Sequence, residues 1–255
     1  HDIQTNKMDV RLDENKVPIE LVNMVQSFNA MLDRLQGEFI RLSNFSSDIA
    51  HELRTPLTNI ITQTQVGLSK KRQSEEYQEL LFSNLEELER LTKMVNDMLW
   101  LAKSQNGLIK PAQDILSSHE EIEVLFEYFD ALAEESSLIL HKAGENISFY
   151  CDKLHFRQLL SNLLSNAIRY APKGSSITVC SEITSAEKVC ICVSNTGEKI
   201  PSAHLPYLFD RFYRSDKSRQ RHSDGAGLGL AIVKALAEAN GGNVKVCSND
   251  QNTCF

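Results

Sequence analysis

LVNMVQSFNAMLDRLQGEFIRLSNFSSDIAHELRTP, residues 21–56, carries apolar side chains at Leu21, Val25, Phe28, Leu32, Leu35, Phe39 and Leu42, spaced alternately by four and three. Steps of four and three return each residue to one stripe of an α-helix. A stripe kept over three heptads predicts a helix seated against a partner helix, rather than one packed inside a single chain. The seam continues through Ile49 and Leu53, with Ser46 as a polar interruption. With Val25 at position a, Ile49 falls at d, Leu53 at a, and His51 at f, the position farthest from the seam. Periodicity alone therefore predicts a solvent-facing histidine on a rigid helix. Pro56 cannot donate to the carbonyl of Glu52, so the helix is free to bend there.

Outward from this stretch, residues 74–105 form a second helical run, with Leu81, Leu85, Leu88, Val95 and Met98 near one stripe. The short polar segment SKKRQS (69–74) turns the two runs into a hairpin, and two hairpins from two chains make a four-helix bundle. Asn106-Gly107 and then Pro111 supply the chemistry that stops a helix. Beyond 112 the pattern changes. A helix is expected over DILSSHEEIEVLFEYFDALAEES (114–136), then short strands at SLIL (137–140) and NISFY (146–150). Asp152 is placed to cap a helix over KLHFRQLLSNLLSNAIRY (153–170), and Pro172 and Gly174 break the chain after it. Strands follow at ITVCSEI (177–183) and KVCICVSN (188–195), a helix at LGLAIVKALAEANGG (228–242), and a last strand from NVKVCS (243–248). The connections look antiparallel. The whole is an α+β multi-domain chain: a helical hairpin followed by an α/β sandwich.

Composition narrows the classes. The 34 acidic residues outnumber the 27 basic ones, a net charge of −7, which disfavours a nucleic-acid partner because such binding rests on neutralising phosphates. No run of about 18 apolar residues exists to span a bilayer. The start has neither an initiator Met nor an apolar signal core, so a longer parent chain is expected. The six cysteines (151, 180, 190, 192, 247, 254) form no C-x-x-C and are read as reduced thiols filling a sheet face. Cys190 and Cys192 point the same way and, with Cys180, could instead hold a soft metal.

Gly225-Ala226-Gly227-Leu228-Gly229 opens directly into a helix. Glycines let the backbone approach an anion, and the helix N-terminus offers free N–H groups and the positive end of the dipole. No Gly-Lys-Ser/Thr follows, so this is no P-loop, and no βαβ unit surrounds it as a dinucleotide fold requires. Upstream lies a basic run, Arg211, Arg214, Lys217, Arg219, Arg221 and His222, interleaved with Phe209, Phe212 and Tyr213. Beside a phosphate cradle this reads as a cationic lid hinged on aromatics. Asn162 and Asn166 stand four apart on one helix face, and their carboxamide oxygens suit a Mg²⁺ already held by a triphosphate. Arg169 offers a phosphate contact and Tyr170 a face for a purine. In His51-Glu52-Leu53-Arg54-Thr55-Pro56, the metalloprotease pattern fails because position 55 is Thr. The remaining use is nucleophilic: a neutral imidazole attacks phosphorus while Glu52 fixes the tautomer and takes the proton.

These residues resemble a family. FSSDIAHELRTPLTNI (45–60) is similar to the phosphoacceptor box of sensor histidine kinases, LLSNLLSNAIRYAP (159–172) to their N box, HLPYLFDRFYR (204–214) to their F box, and GAGLGLAIVKALAEANGG (225–242) to their G2 box. Residues 17–42, opening with VPIELVNMVQSFNAMLDRL, resemble the second helix of a HAMP linker. The wording of the boxes is most like sensors of copper or silver. The resemblance implies three domains: 1–42 the end of the linker, 43–106 the dimerisation and histidine-phosphotransfer hairpin, and 107–255 an ATP-binding domain of the Bergerat type. It implies that His51 is phosphorylated, that Glu52 is its acid/base partner, and that Thr55 positions water for dephosphorylation. Asn166 would bind Mg²⁺ with Asn162 nearby, and Arg169 and Tyr170 would meet phosphate and adenine. Gly225, Gly227, Gly229 and Leu230 would line the triphosphate, with Phe209, Phe212 and Arg214 in the lid. ATP and Mg²⁺ are the implied cofactors. A homodimer acting on the receiver domain of a response regulator is the implied assembly, on the cytoplasmic side of the inner membrane and anchored through a preceding segment. One box departs from pattern: Asn195-Thr196-Gly197-Glu198-Lys199 stands where the family has Asp-x-Gly-x-Gly. A neutral amide accepts the adenine amino hydrogen more weakly than a carboxylate, so weaker nucleotide binding is expected. Two other readings share this nucleotide fold: a dimeric scaffold that binds nucleotide without transfer, and a conformational ATPase.

Overall fold

The computed structural model describes residues 10–13, 16–105, 110–214 and 226–255. It divides into two compact units, the first ending at Leu88 and the second beginning at Glu89.

The first unit is a helical hairpin. After one 3-10 turn (Ile19–Leu21), α1 (Val22–Leu68) runs unbroken through Pro56, and α2 (Ser74–Gln105) returns. The polar residues inside α1 are accommodated by local bonds: the hydroxyls of Ser27, Ser46, Thr55 and Thr64 each donate to the carbonyl four residues back. The hairpin closes tightly at its turn. Asn84 donates its amide to Thr64 Oγ1 (3.1 Å), and a Cβ on Gly67 would lie 2.7 Å from Leu80. Residues 10–13 lie along α1, where Leu12 and Asn29 exchange two hydrogen bonds and Arg11 pairs with Asp33. The predicted stripe is on the helix, but in the single chain only Val25 is buried, while Phe28, Leu35, Phe39 and Leu42 are exposed. A stripe of that size left in water leaves a helix face unpartnered.

The second unit begins with the last turns of α2, which bury Leu91, Met94, Met98 and Leu101. Strand β1 (Asp114–Ser117) leads into α3 (Ser118–Glu135). Then come β2 (Ile139–Gly144), β3 (Ser148–Cys151), α4 (Lys153–Tyr170), β4 (Ser176–Ile183) and β5 (Val189–Thr196). The chain ends in α5 (Gly229–Ala239), β6 (Cys247–Ser248) and β7 (Asn252–Cys254). β1 and β3 form a two-stranded antiparallel sheet. The main sheet has the order β2-β4-β5-β7-β6. One face of it, through Ile177, Val179 and Val193, packs on Ile122, Leu125 and Phe129 of α3 and on Leu160 and Leu164 of α4. No helix among the described residues is long and apolar enough to cross a membrane.

Three expectations are corrected. The helix expected from 114 begins only at Ser118, because Ser117 accepts from the Glu120 amide as N-cap and residues 114–117 pair with β3. The β2–β4 pair is parallel, since the chain crosses through β3 and α4 between them. The cysteines are not all reduced: Cys192 and Cys254, on neighbouring strands, form a disulfide, and Cys151, Cys180, Cys190 and Cys247 are free.

Asp152 caps α4 as expected, accepting from His155 N (3.0 Å), and also from Ala112 N (2.8 Å). Burial pushes its carboxyl up, but the hydrogen bonds from His155 and Ala112 outweigh burial and hold it below the usual carboxylate range. A depressed folded-state value stabilises the fold above the unfolded-state value, and that stabilisation is lost as pH falls through the folded-state value. Asp152→Ala is therefore expected to cost about 1 kcal/mol near neutral pH. In urea titrations across the acid range, the difference from the parent chain should shrink as pH falls below the ordinary carboxylate range.

Candidate functional site

His51 lies one turn before Pro56 on α1, and its side chain is exposed, as its f position requires; Glu52 beside it is half-buried. Thr55 stands one turn on and is exposed. Its hydroxyl donates to the His51 carbonyl at 3.4 Å, which ties it to the same helical turn. The imidazole thus stands on helical backbone with a carboxylate next to it in sequence and a hydroxyl one turn on.

The second unit holds a cavity of about 740 Å³, large enough for a drug-sized ligand. One wall is α4, which contributes Asn162, Asn166, Arg169 and Tyr170. Asn162 donates its amide nitrogen to Gln158 O (3.0 Å), which leaves its oxygen toward Gly229, where a Cβ would lie 3.4 Å away. The floor is Asn195 at the end of β5, with Gly197 beyond it. Asn195 is buried and donates its amide nitrogen to Thr196 O (2.8 Å), so its oxygen is the group that can accept from a ligand. The opposite wall is the start of α5. Gly227 has φ +70°, and a Cβ there would lie 2.8 Å from the carbonyl carbon of Phe212. Phe212 itself is left-handed at φ 58° and donates its amide to Gly227 O at 3.0 Å. Two backbones therefore cross closely at the helix entry, where the N–H groups of α5 and its dipole favour an anion. Arg90, Lys93, Arg169, Lys199 and Arg214 line the cavity against only Asp97 and Glu198. In an acidic chain, this is a local excess of positive charge. Burial pushes the Asp97 carboxyl up, with Lys93 opposing it.

Of the residues singled out in sequence, Asn162, Asn166, Arg169, Tyr170, Asn195, Gly197, Arg214, Gly227, Gly229 and Leu230 line this one cavity. Phe209 and Phe212 do not. Phe209 meets Phe255 edge-on (centroids 6.4 Å apart), and Phe255 does line it, while Phe212 acts through its backbone at Gly227. Gly225, Lys217, Arg219, Arg221 and His222 lie outside the described residues, as do Asn106 and Gly107. Thr253, Phe255, Arg90 and Asp97 were missed in sequence. No glycine or box marks the first two; the last two sit on α2, whose apolar period says nothing of its polar face.

An outward histidine on a hairpin and an anion-favouring cavity over a mixed sheet define a chain of two modules, one presenting an imidazole and one suited to an anionic ligand. Comparison with known proteins agrees. Residues 41–107 match the family described as His Kinase A (phospho-acceptor) domain, and residues 151–255 the one described as Histidine kinase-, DNA gyrase B-, and HSP90-like ATPase. The chain is 49% identical over 253 residues to Sensor histidine kinase CusS of Escherichia coli O157:H7, which covers 99% of this chain and 52% of that protein. It spans about half the length of the curated relatives it matches. Among solved structures, histidine kinase AdeS of Acinetobacter baumannii has the same fold (TM-score 0.67, 24% identity, 80% of this chain and 94% of that one). So does histidine kinase ThkA in its complex with response regulator protein TrrA (TM-score 0.69, 21% identity, 86% and 62%). The chain belongs to the sensor histidine kinases.

Proposed function

We propose that this chain is the catalytic part of a two-component sensor kinase: ATP held in the second unit's cavity donates its γ-phosphoryl group to His51, which passes it to an aspartate on the receiver domain of a response regulator. The observation that carries this reading is the convergence, in one cationic cavity, of the glycine-entered helix with Asn162, Asn166, Arg169 and Asn195. The Asn195 oxygen accepts from the adenine amino group, and Tyr170 covers the ring. Arg169 and Arg214 hold phosphate, and the N-terminus of α5 receives the triphosphate charge. The neutral imidazole of His51 attacks phosphorus; an N–P bond forms, the bond to the bridging oxygen breaks, and ADP leaves. The imidazole proton passes to Glu52. Thr55 orients water for the reverse, dephosphorylating reaction. Among the described residues no three His, Cys, Asp or Glu side chains converge on a metal site. The neutral oxygens of Asn162 and Asn166 fit a Mg²⁺ whose other ligands are phosphate and water. That ion neutralises phosphate charge when bound. Catalysis is then mostly positioning and electrostatics.

The exposed stripe of α1 fits a second copy of the chain, giving a homodimer with a four-helix bundle. In this reading the domains are 1–42, 43–106 and 107–255. A preceding segment anchors the protein in the inner membrane, with this part cytoplasmic and a heavy-metal ion as the signal. The test is incubation with γ-³²P-ATP and Mg²⁺. An acid-labile, alkali-stable label on the chain is expected. Nucleotide binding without label would favour a scaffold, and steady phosphate release without phosphoprotein would favour a conformational ATPase. Asn195→Ala removes the adenine acceptor and leaves the amino group unpaired. It is expected to weaken nucleotide binding about tenfold by calorimetry, with little change in Tm.

A further inference from the structure

Strand register places five of the six cysteines on one face of the main sheet. Side chains alternate along a strand, and Ile177, Val179, Val193 and Thr253 are buried on the helix side. Cys180, Cys190, Cys192 and Cys254 therefore lie on the opposite side. Cys180 is directly opposite Cys192, Cys190 opposite Glu182, and Cys247 opposite Cys254. Cys192 and Cys254 are already joined, at a sequence separation of 62. The loop so closed contains every cavity residue downstream of β5 up to Thr253. The residues flanking Cys254, Thr253 and Phe255, both line the cavity, and β7 pairs with β5 at residues 252–254, with Phe255 and Val193 exchanging two more backbone hydrogen bonds at the chain's end. A bond at Cys254 on the back of the sheet thus bears on the cavity wall at its front.

We propose that Cys192–Cys254 is a thiol-reactive bridge, with Cys180 as its exchange partner, whose state sets how firmly β7 closes the cavity wall. The link to ligand affinity rests on the nucleotide reading given above. Internal exchange needs no oxidant. The Cys180 thiolate attacks Cys192 Sγ, a Cys180–Cys192 bond forms, the bond to Cys254 breaks, and the Cys254 thiolate leaves. The proton lost by Cys180 goes to solvent, and Cys254 takes one back. Full reduction consumes two molecules of a small cellular thiol and yields two cysteine thiols and one small-molecule disulfide. Burial, with Glu182 and Cys180 adding to it, pushes the Cys190 thiol up, which leaves less of it as the reactive thiolate.

The test uses the whole chain equilibrated with oxidised glutathione or with dithiothreitol. Peptide mapping without reduction should give a Cys192–Cys254 or Cys180–Cys192 peptide in the oxidised form only. Amide exchange over 252–255 should be at least about tenfold faster in the reduced form. A fluorescent ATP analogue should bind the reduced form roughly fivefold more weakly. Cys192→Ser should erase all three responses and Cys151→Ser none. If Cys192→Ser does not fold, alkylation of the reduced parent chain, which blocks every thiol of the row, serves instead. Equal exchange over 252–255 in the two forms overturns the proposal, as does a redox response that survives Cys192→Ser. So does titration with Ag⁺ in which three or more thiols bind the ion and no linked peptide is found, which would make the row a soft-cation site. Failure of both forms to bind the analogue would count against the nucleotide reading, while mapping and exchange would still decide the bridge.

Discussion

His51→Gln is expected to reduce acid-labile phosphoryl incorporation to background, a loss on the order of 10³-fold or more, while Mg-ATP affinity stays within about twofold. The split follows from where the residue stands. His51 is exposed on α1 in the first unit, and the cavity that would hold nucleotide is built wholly from residues of the second. Glutamine keeps the length and polarity of the side chain and the helical propensity of the site, so the hairpin should be undisturbed. It cannot offer a neutral ring nitrogen to phosphorus. Circular dichroism melts should therefore coincide with those of the parent chain. Autoradiography after neutral and acid washes measures the label, and calorimetry the affinity. Label that survives the substitution would remove His51 from the reaction.

Gly227→Ala is expected to have the largest effect on the cavity itself. The position needs φ +70°, which costs an L-residue roughly 1–3 kcal/mol. The added Cβ would also meet the backbone of Phe212 at 2.8 Å, and backbone yields less readily than a flexible side chain. The two terms together correspond to a loss of about 2–3 kcal/mol, or roughly 30- to 150-fold in nucleotide Kd, if the strain is relieved by moving the entry of α5. Gly241→Ala separates them. Gly241 has φ +75° with nothing within 4 Å of a Cβ, so it bears the backbone cost alone and should lower Tm without changing Kd. Equal Kd values for the parent chain and Gly227→Ala would mean that the close crossing of residues 212 and 227 does not shape the binding site.

Much of both units was legible in the sequence, for identifiable reasons. α4 is amphipathic, capped by Asp152 and stopped before Pro172, and it spans the expected 153–170. The f position of His51 came from counting heptads and agrees with its exposure. The glycines at 227 and 229 signalled a helix entry under close approach, and that is where they stand. The errors have equally local causes. DILS reads as the start of a helix because Ile115 and Leu116 suit either state, and only pairing with β3 decides for strand. NTC, the whole of β7, is too short and too polar to be read as a strand at all.

Periodicity, capping and glycine chemistry are properties of neighbours along the chain. For this protein they sufficed to determine the hairpin, the outward histidine, the helix that carries Asn162 and Asn166, and the phosphate-type entry to α5. The tertiary structure decided the rest. Asn195 is opposite Thr253, Phe255 joins the wall beside it, and Cys192 bonds to Cys254 on the reverse face. Each of these depends on the register of β5 against β7, two strands that stand before and after α5 in the chain. No pattern within either segment specifies that register. It is set by the packing of the sheet onto α3 and α4, which exists only once the chain has folded.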